Sequence, residues 1–148
     1  MCKTKEVINK LLVEIYNDIL QIEEQTLRKD EHSDLTITEI HTIEAIGIDK
    51  EKTMSEIAQQ LNVTLGTLTT GINKLIKKGY VERNRTEEDR RIVLVRLTEK
   101  GKTAYKHHEE FHNEMVQNSV NDLTEDEKEV LASSLEKIKT FFTDKYNV

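Results

Sequence analysis

Between Thr53 and Leu97 the apolar residues change period once, and that change limits what the chain can become. Met54, Ile57, Ala58 and Leu61 recur at helical spacing, and Thr53 with Glu56 has the form of a capping box. Asn62 suits a left-handed cap at the far end. A second helical stripe follows almost at once: Leu65, Leu68, Ile72, Leu75 and Ile76, stopped by Gly79. From there the pattern alternates. "YVER" and "IVLVRL" are expected to be two short strands joined by the charged "NRTEEDRR".

A short helix, a tight turn, a second helix and a hairpin make a winged helix-turn-helix. The flanks are helical too. Ile8, Leu11, Leu12, Ile15, Ile19 and Ile22 stripe a first helix from about Lys5 to Leu27. After the polar "RKDEHSD", Thr36 and Glu39 cap a helix carrying Ile37, Ile40 and Ile43 to Gly47. Thr98 opens a long helix with Ala104, His108, Phe111 and Met115. Thr124 and Glu127 cap a last one striped by Val130, Leu131, Leu135, Ile138, Phe141 and Phe142. No proline interrupts any of them. The expected fold is mostly α with a small β-hairpin wing. It comprises a single domain over 1–148, with a reading core at 36–97 and helical dimerisation regions at 1–30 and 98–148. A homodimer is expected because the terminal apolar stripes are broader than so small a core can cover.

The second helix of the pair has an unusual outer face. On a wheel of about 100° per residue, the sector opposite its apolar stripe holds Gly66, Thr67, Thr70, Asn73, Lys74 and Lys77, with Thr64 at the start. Thr and Gly are poor helix formers. They do, however, let a backbone approach base edges, where Thr meets the thymine methyl, Asn pairs with adenine and Lys neutralises phosphate. Charge agrees. The chain carries a formal −6, yet Thr64 to Arg96 holds eight Lys/Arg against four Asp/Glu, a local +4 that leaves −10 elsewhere. At the hairpin tip, Arg90 and Arg91 can enter a minor groove, with Asp89 orienting one of them by a bidentate pair. These ten residues, Thr64 to Arg91, are the expected contacts to a double-stranded DNA operator.

Other classes fit poorly. There is no nucleophile elbow, no phosphate-binding glycine loop and no placeable pair of catalytic carboxylates, so no enzyme and no cofactor are expected. Glu6 and Glu14 interrupt the N-terminal apolar run, which excludes a signal peptide or membrane span there. Cys2 is the single cysteine, so no intrachain disulfide can form and a cytoplasmic location is expected.

From Thr53 to Gly101 the chain resembles the MarR family of winged-helix transcriptional regulators, with "DRR" matching the wing signature and "LTEKG" the start of the next helix. "HTIEAIG", "NVTLGTLTTGINKLIKKGYVER", "EEDRRIVLVRLTEKG" and "EFHNEM" are similar to the fatty-acid biosynthesis repressors of lactic-acid bacteria. That resemblance implies a homodimer on a pseudo-palindromic operator in fatty-acid synthesis promoters. It also implies a long-chain acyl group on acyl carrier protein as corepressor. An acyl tunnel would draw on Ile15, Ile19, Ile22, Ile40, Phe111 and Met115. The alternative effector is zinc. His108 and His112 lie one turn apart, and with His41 and Glu24 they are similar to the ligand set of the family's zinc-responsive branch. The family's peroxide sensors keep a cysteine within the first helix, a pattern from which Cys2 departs. A docking module for other proteins is the remaining class.

Overall fold

The computed structural model describes residues 2–148. Six helices and three short strands run in the order α1 (Lys3–Lys29), α2 (Ile37–Ile46), β1 (Lys52–Thr53), α3 (Met54–Leu61), α4 (Leu65–Lys77), β2 (Val81–Arg85), β3 (Val93–Leu97), α5 (Glu99–Ser119) and α6 (Glu125–Tyr146). The helix starts are set by threonines. Thr36, Thr53, Thr64, Thr98 and Thr124 each accept a backbone N–H three residues on. Capping boxes close at Thr36 with Glu39 and Thr124 with Glu127. The one expected at Thr53 is only half formed, with Glu56 N–H donating to Thr53 Oγ1 at 3.1 Å. Asn62 takes the left-handed cap at φ 55°.

The wing is an antiparallel pair, Val81 opposite Leu97 through Arg85 opposite Val93. Two details differ from the sequence expectation. The first wing strand begins at Val81 rather than Tyr80 and continues to Arg85. A third strand, Lys52–Thr53, pairs with β3 on its other edge. Two residues carry no readable alternation, so nothing in the pattern marks them.

One core serves the reading module. Ile40, Ile43 and Ile46 of α2, Ile57 of α3, Ile72 and Leu75 of α4, Tyr80, Val95 and Ala104 are all essentially without solvent contact. The wheel placed Leu65 in that core, but it is 52% exposed. It shares the azimuth of Ile72 and Ile76, yet it sits at the first turn of α4, beyond the end of the core. The terminal helices are different. Val7, Ile8, Leu11, Leu12, Ile15 and Tyr16 of α1 are exposed, and α6 buries no residue at all.

The junction of wing and α5 is the tightest approach in the fold. A Cβ added at Gly101 would lie 2.1 Å from the Tyr80 carbonyl oxygen. That oxygen also accepts the Thr98 N–H at 3.0 Å. Gly101→Ala is therefore expected to destabilise the protein by about 3 kcal/mol through overpacking, measured by urea unfolding.

Candidate nucleic-acid interface

The structure brings the expected contacts of α4 onto one solvent-facing surface. Thr64, Gly66, Thr67, Thr70, Asn73, Lys74 and Lys77 are all exposed, while Leu68, Ile72 and Leu75 hold the opposite side of α4 in the core. The hydroxyls are partly committed. Thr64 caps the helix and donates to Thr67 Oγ1 at 3.0 Å, and Thr70 donates back to the Gly66 carbonyl at 3.2 Å. Back-bonding of this kind fixes the rotamer and turns the Thr70 methyl away from the backbone acceptor.

The glycines are more telling. A Cβ at Gly71 would meet nothing within 4 Å, and at Gly66 only Thr64 Oγ1 at 4.0 Å. Neither has positive φ. Glycine inside a helix costs roughly 0.5–1 kcal/mol relative to alanine, and nothing within this chain needs the space.

Asn73 is held by a neighbour from outside the helix. Arg83 of β2 donates from Nη1 to Asn73 Oδ1 at 2.9 Å. A bidentate reading of adenine needs that oxygen as well as the amide NH2. Arg83 takes up one of the two lone pairs of that oxygen and orients the amide, while the second lone pair and the NH2 stay available. Arg83 is a neighbour that helical periodicity could not reveal, because it arrives from the strand.

At the wing tip, Arg91 Nε and Nη2 lie 3.1 and 3.4 Å from the two Asp89 oxygens, the expected bidentate pair. The Arg91 side-chain hydrogen bond holds the Asp89 carboxyl below its usual range. Thr86 Oγ1 donates to the Asp89 carbonyl at 2.6 Å and accepts its N–H at 3.0 Å, closing the turn. Arg85 Nη1 donates to the Arg90 carbonyl at 2.7 Å, and the Arg90 guanidinium has no ion pair among the described residues. Beside α4, Thr36, Thr38, Glu39, Thr67, Thr70, Gly71 and Lys74 line an open groove that runs to the start of α2, where the capping box already occupies the N–H groups of Thr36 and Glu39.

The effector candidates are scattered by comparison. Ile40 is a core residue, Ile15 and Ile22 are exposed, and Ile19, Phe111 and Met115 are half-buried. Ile40 and Phe111 share a void of about 20 Å³, room for about one water. Within one chain these six residues do not surround a common tunnel.

The histidine set is brought together, with one correction. Glu24 points away and pairs with Arg28 at 2.6 Å, because one residue along a helix is a rotation of about 100°. Glu23 takes its place. It is buried, and its carboxylate lies 3.4 Å from His41 Nε2, 4.0 Å from His108 Nε2 and 2.6 Å from His112 Nε2. Burial and the neighbouring His112 hold the His108 imidazole below its usual range against the pull of Glu44 and Glu23. Its buried Nε2 has no hydrogen-bond partner.

A helix with a small, partly basic outer face beside an arginine-tipped hairpin belongs to the class of winged-helix DNA readers. Comparison with known proteins narrows this. The MarR family profile matches residues 33–92. The chain is 32% identical to the HTH-type regulator SarZ of Staphylococcus haemolyticus over 71% of its own length and 70% of that protein. It is 31% identical to the HTH-type regulator YhjH of Bacillus subtilis, of which it spans only 49%. Among solved structures, Streptococcus pneumoniae FabT in complex with DNA superimposes with a TM-score of 0.91 at 41% identity, over 95% of this chain and 98% of that one. Escherichia coli MarR in its reduced form gives 0.70 at 27%, over 88% and 94%. The chain belongs to the MarR family and is a DNA-binding transcriptional regulator rather than an enzyme. No helix among the described residues is long and apolar enough to cross a membrane.

If the outer face of α4 approaches a duplex, stability and affinity should separate. Gly71→Ala and Gly66→Ala are expected to raise unfolding stability by up to about 1 kcal/mol each, while Gly66→Ala weakens duplex binding about tenfold. Urea melts and fluorescence anisotropy on the same preparations check both.

Proposed function

We propose that the protein represses fatty-acid biosynthesis genes as a homodimer bound to a pseudo-palindromic operator. Long-chain acyl groups on acyl carrier protein act as the corepressor. The observation that carries this reading is the exposed "VTLGTLTT" segment on α4, together with the likeness to FabT bound to DNA across nearly the whole chain.

The uncovered stripes of α1 and α6 supply the dimer. Each large side chain that pairing removes from water contributes about 1.5–3 kcal/mol, and two-fold symmetry sets two α4 helices in successive major grooves. Because the single chain encloses only a small void, an acyl tunnel lined by Ile15, Ile19, Ile22, Ile40, Phe111 and Met115 requires the second copy to complete its wall. Sixteen buried methylenes at about 0.8 kcal/mol each would offer roughly 13 kcal/mol before the costs of binding.

Operator affinity titrated against acyl carrier protein bearing chains of increasing length is the decisive measurement. Tightening with long chains and none with the free carrier is expected. With about eight phosphates neutralised per dimer, log K should fall by about seven per decade of salt. Equal affinity with every carrier form defeats the corepressor reading, while a flat salt dependence defeats the operator reading.

One observation favours a second effector. A buried carboxylate, Glu23, faces three histidines, and His108 Nε2 is buried without a partner. Glu23, His41 and His108 bring donor atoms within 4.8 Å of one another, and His112, 2.6 Å from Glu23, is the candidate fourth donor of a tetrahedral zinc site. Bound there, zinc would tie α1, α2 and α5 together. Zinc should then shift operator affinity, and His112→Ala should abolish the shift. An affinity indifferent to zinc and to chelator removes this reading.

A further inference from the structure

A second group of ligating side chains lies where α1 ends, shares no residue with the Glu23 cluster, and is not used in DNA reading. Asp30, Glu31 and His32 leave the C-terminus of α1, and His107 reaches them from α5. One donor atom from each of the four lies within 4.8 Å of the others. His107 Nδ1 is 3.5 Å from Asp30 Oδ2 and 3.9 Å from Glu31 Oε1, and His32 Nε2 is 3.6 Å from Glu31 Oε1. In a tetrahedron with bonds of about 2.1 Å the donors stand about 3.4 Å apart, so these edges need close by only a few tenths of an ångström.

The hydrogen-bond pattern around His32 points to a cation. Its side chain is buried, with 4% of the residue's surface exposed. The Tyr80 hydroxyl lies 2.6 Å from Asp34 Oδ1, and a carboxylate can only accept, so Tyr80 spends its proton there. The 3.3 Å contact between His32 Nδ1 and the Tyr80 oxygen must then be donated by the imidazole. That puts a proton on Nδ1, and in the neutral imidazole Nε2 is then a bare lone pair. Nε2 is buried and has no hydrogen-bond partner. It faces the Glu31 carboxylate, which can give it nothing.

Asp30 is set in the same way: its Oδ1 accepts the His32 N–H at 3.1 Å, while Oδ2 stays turned to His107. An imidazole whose far nitrogen is held by an outer hydrogen bond is the usual form of a metal-ligating histidine. Asp30, His32 and His107 also line the void of about 20 Å³ beneath the site.

We propose that Asp30, Glu31, His32 and His107 form a divalent transition-metal site that clips the α1–α2 connection to α5. Two imidazoles and two carboxylates suit zinc or cobalt(II), and the two negative charges balance the ion. The site is joined through Tyr80 to the base of the wing, so occupancy braces the reading head against the long helices. It is independent of the acyl and Glu23 readings, and its failure leaves both standing.

Cobalt(II) titration of the chelator-treated dimer, followed by visible absorption, tests it. His41→Ala combined with His112→Ala serves as background, leaving only Glu23 and His108 of the other cluster. That protein is expected to bind one cobalt per chain with the strong absorption of a tetrahedral site. Adding His107→Ala or Glu31→Gln, both at partly exposed positions, should weaken binding at least tenfold, with unfolding midpoints checking that the fold is kept. Tyr80→Phe should weaken it by about 10–100-fold through the lost outer hydrogen bond. No binding in the background protein, or an affinity unmoved by His107→Ala and Glu31→Gln, overturns the proposal.

Discussion

Tyr80 is the point through which the parts of this fold are tied. Its ring is fully buried, with the Lys100 ammonium 4.3 Å from the ring centre. Its phenol reaches back to the α1–α2 connection at Asp34 and His32, and its carbonyl receives the start of α5 through the Thr98 N–H. Burial and Asp34 push the phenol up, so the proton stays in place at any physiological pH. Burial opposes ionisation of Asp34, but the Tyr80 hydrogen bond, Lys100 and Lys78 outweigh it and hold the carboxyl low. Lys78, the residue after α4, joins the same knot by donating to the Asp34 carbonyl and to Glu39. One side chain thus fixes the end of the recognition helix, the root of the wing and the first turn of α5 relative to one another.

This rigidity has a functional consequence. A reading helix and a wing engage one duplex together only if their spacing is set before binding, since ordering on contact would cost affinity. The core of α2, α3, α4 and β3 supplies that preorganisation, while α1 and α6 carry apolar surface outward.

How much of this was legible in the sequence follows from the range of each interaction. Threonine caps and apolar periods are local, so the helices, the wing and the solvent face of α4 could be read directly. A helical wheel gives azimuth without position along the core, which is why Leu65 was misplaced. Neighbouring residues on a helix point in different directions, and spacing alone did not separate Glu23 from Glu24. Arg83 on Asn73, the short strand at Lys52–Thr53 and the Tyr80 knot depend on contacts between distant segments, for which no period exists. The scattered effector residues share a further obstacle: an apolar stripe gives no sign of whether its members surround a common cavity.

The charge distribution completes the argument about orientation. The reading segment carries +4 on a chain of −6, so the body that bears it is strongly acidic. A duplex is repelled by the arms and attracted by α4 and the wing, and these opposing fields orient approach before any base is touched. Glu51 and Glu82 pair with Arg96 at 3.8 and 3.1 Å, neutralising that cation on the far edge of the wing, whereas Lys74, Lys77 and Arg90 are left unpaired among the described residues. Net acidity, which by itself argues against a nucleic-acid partner, becomes a source of selectivity once the positive charge is concentrated on the face that reads.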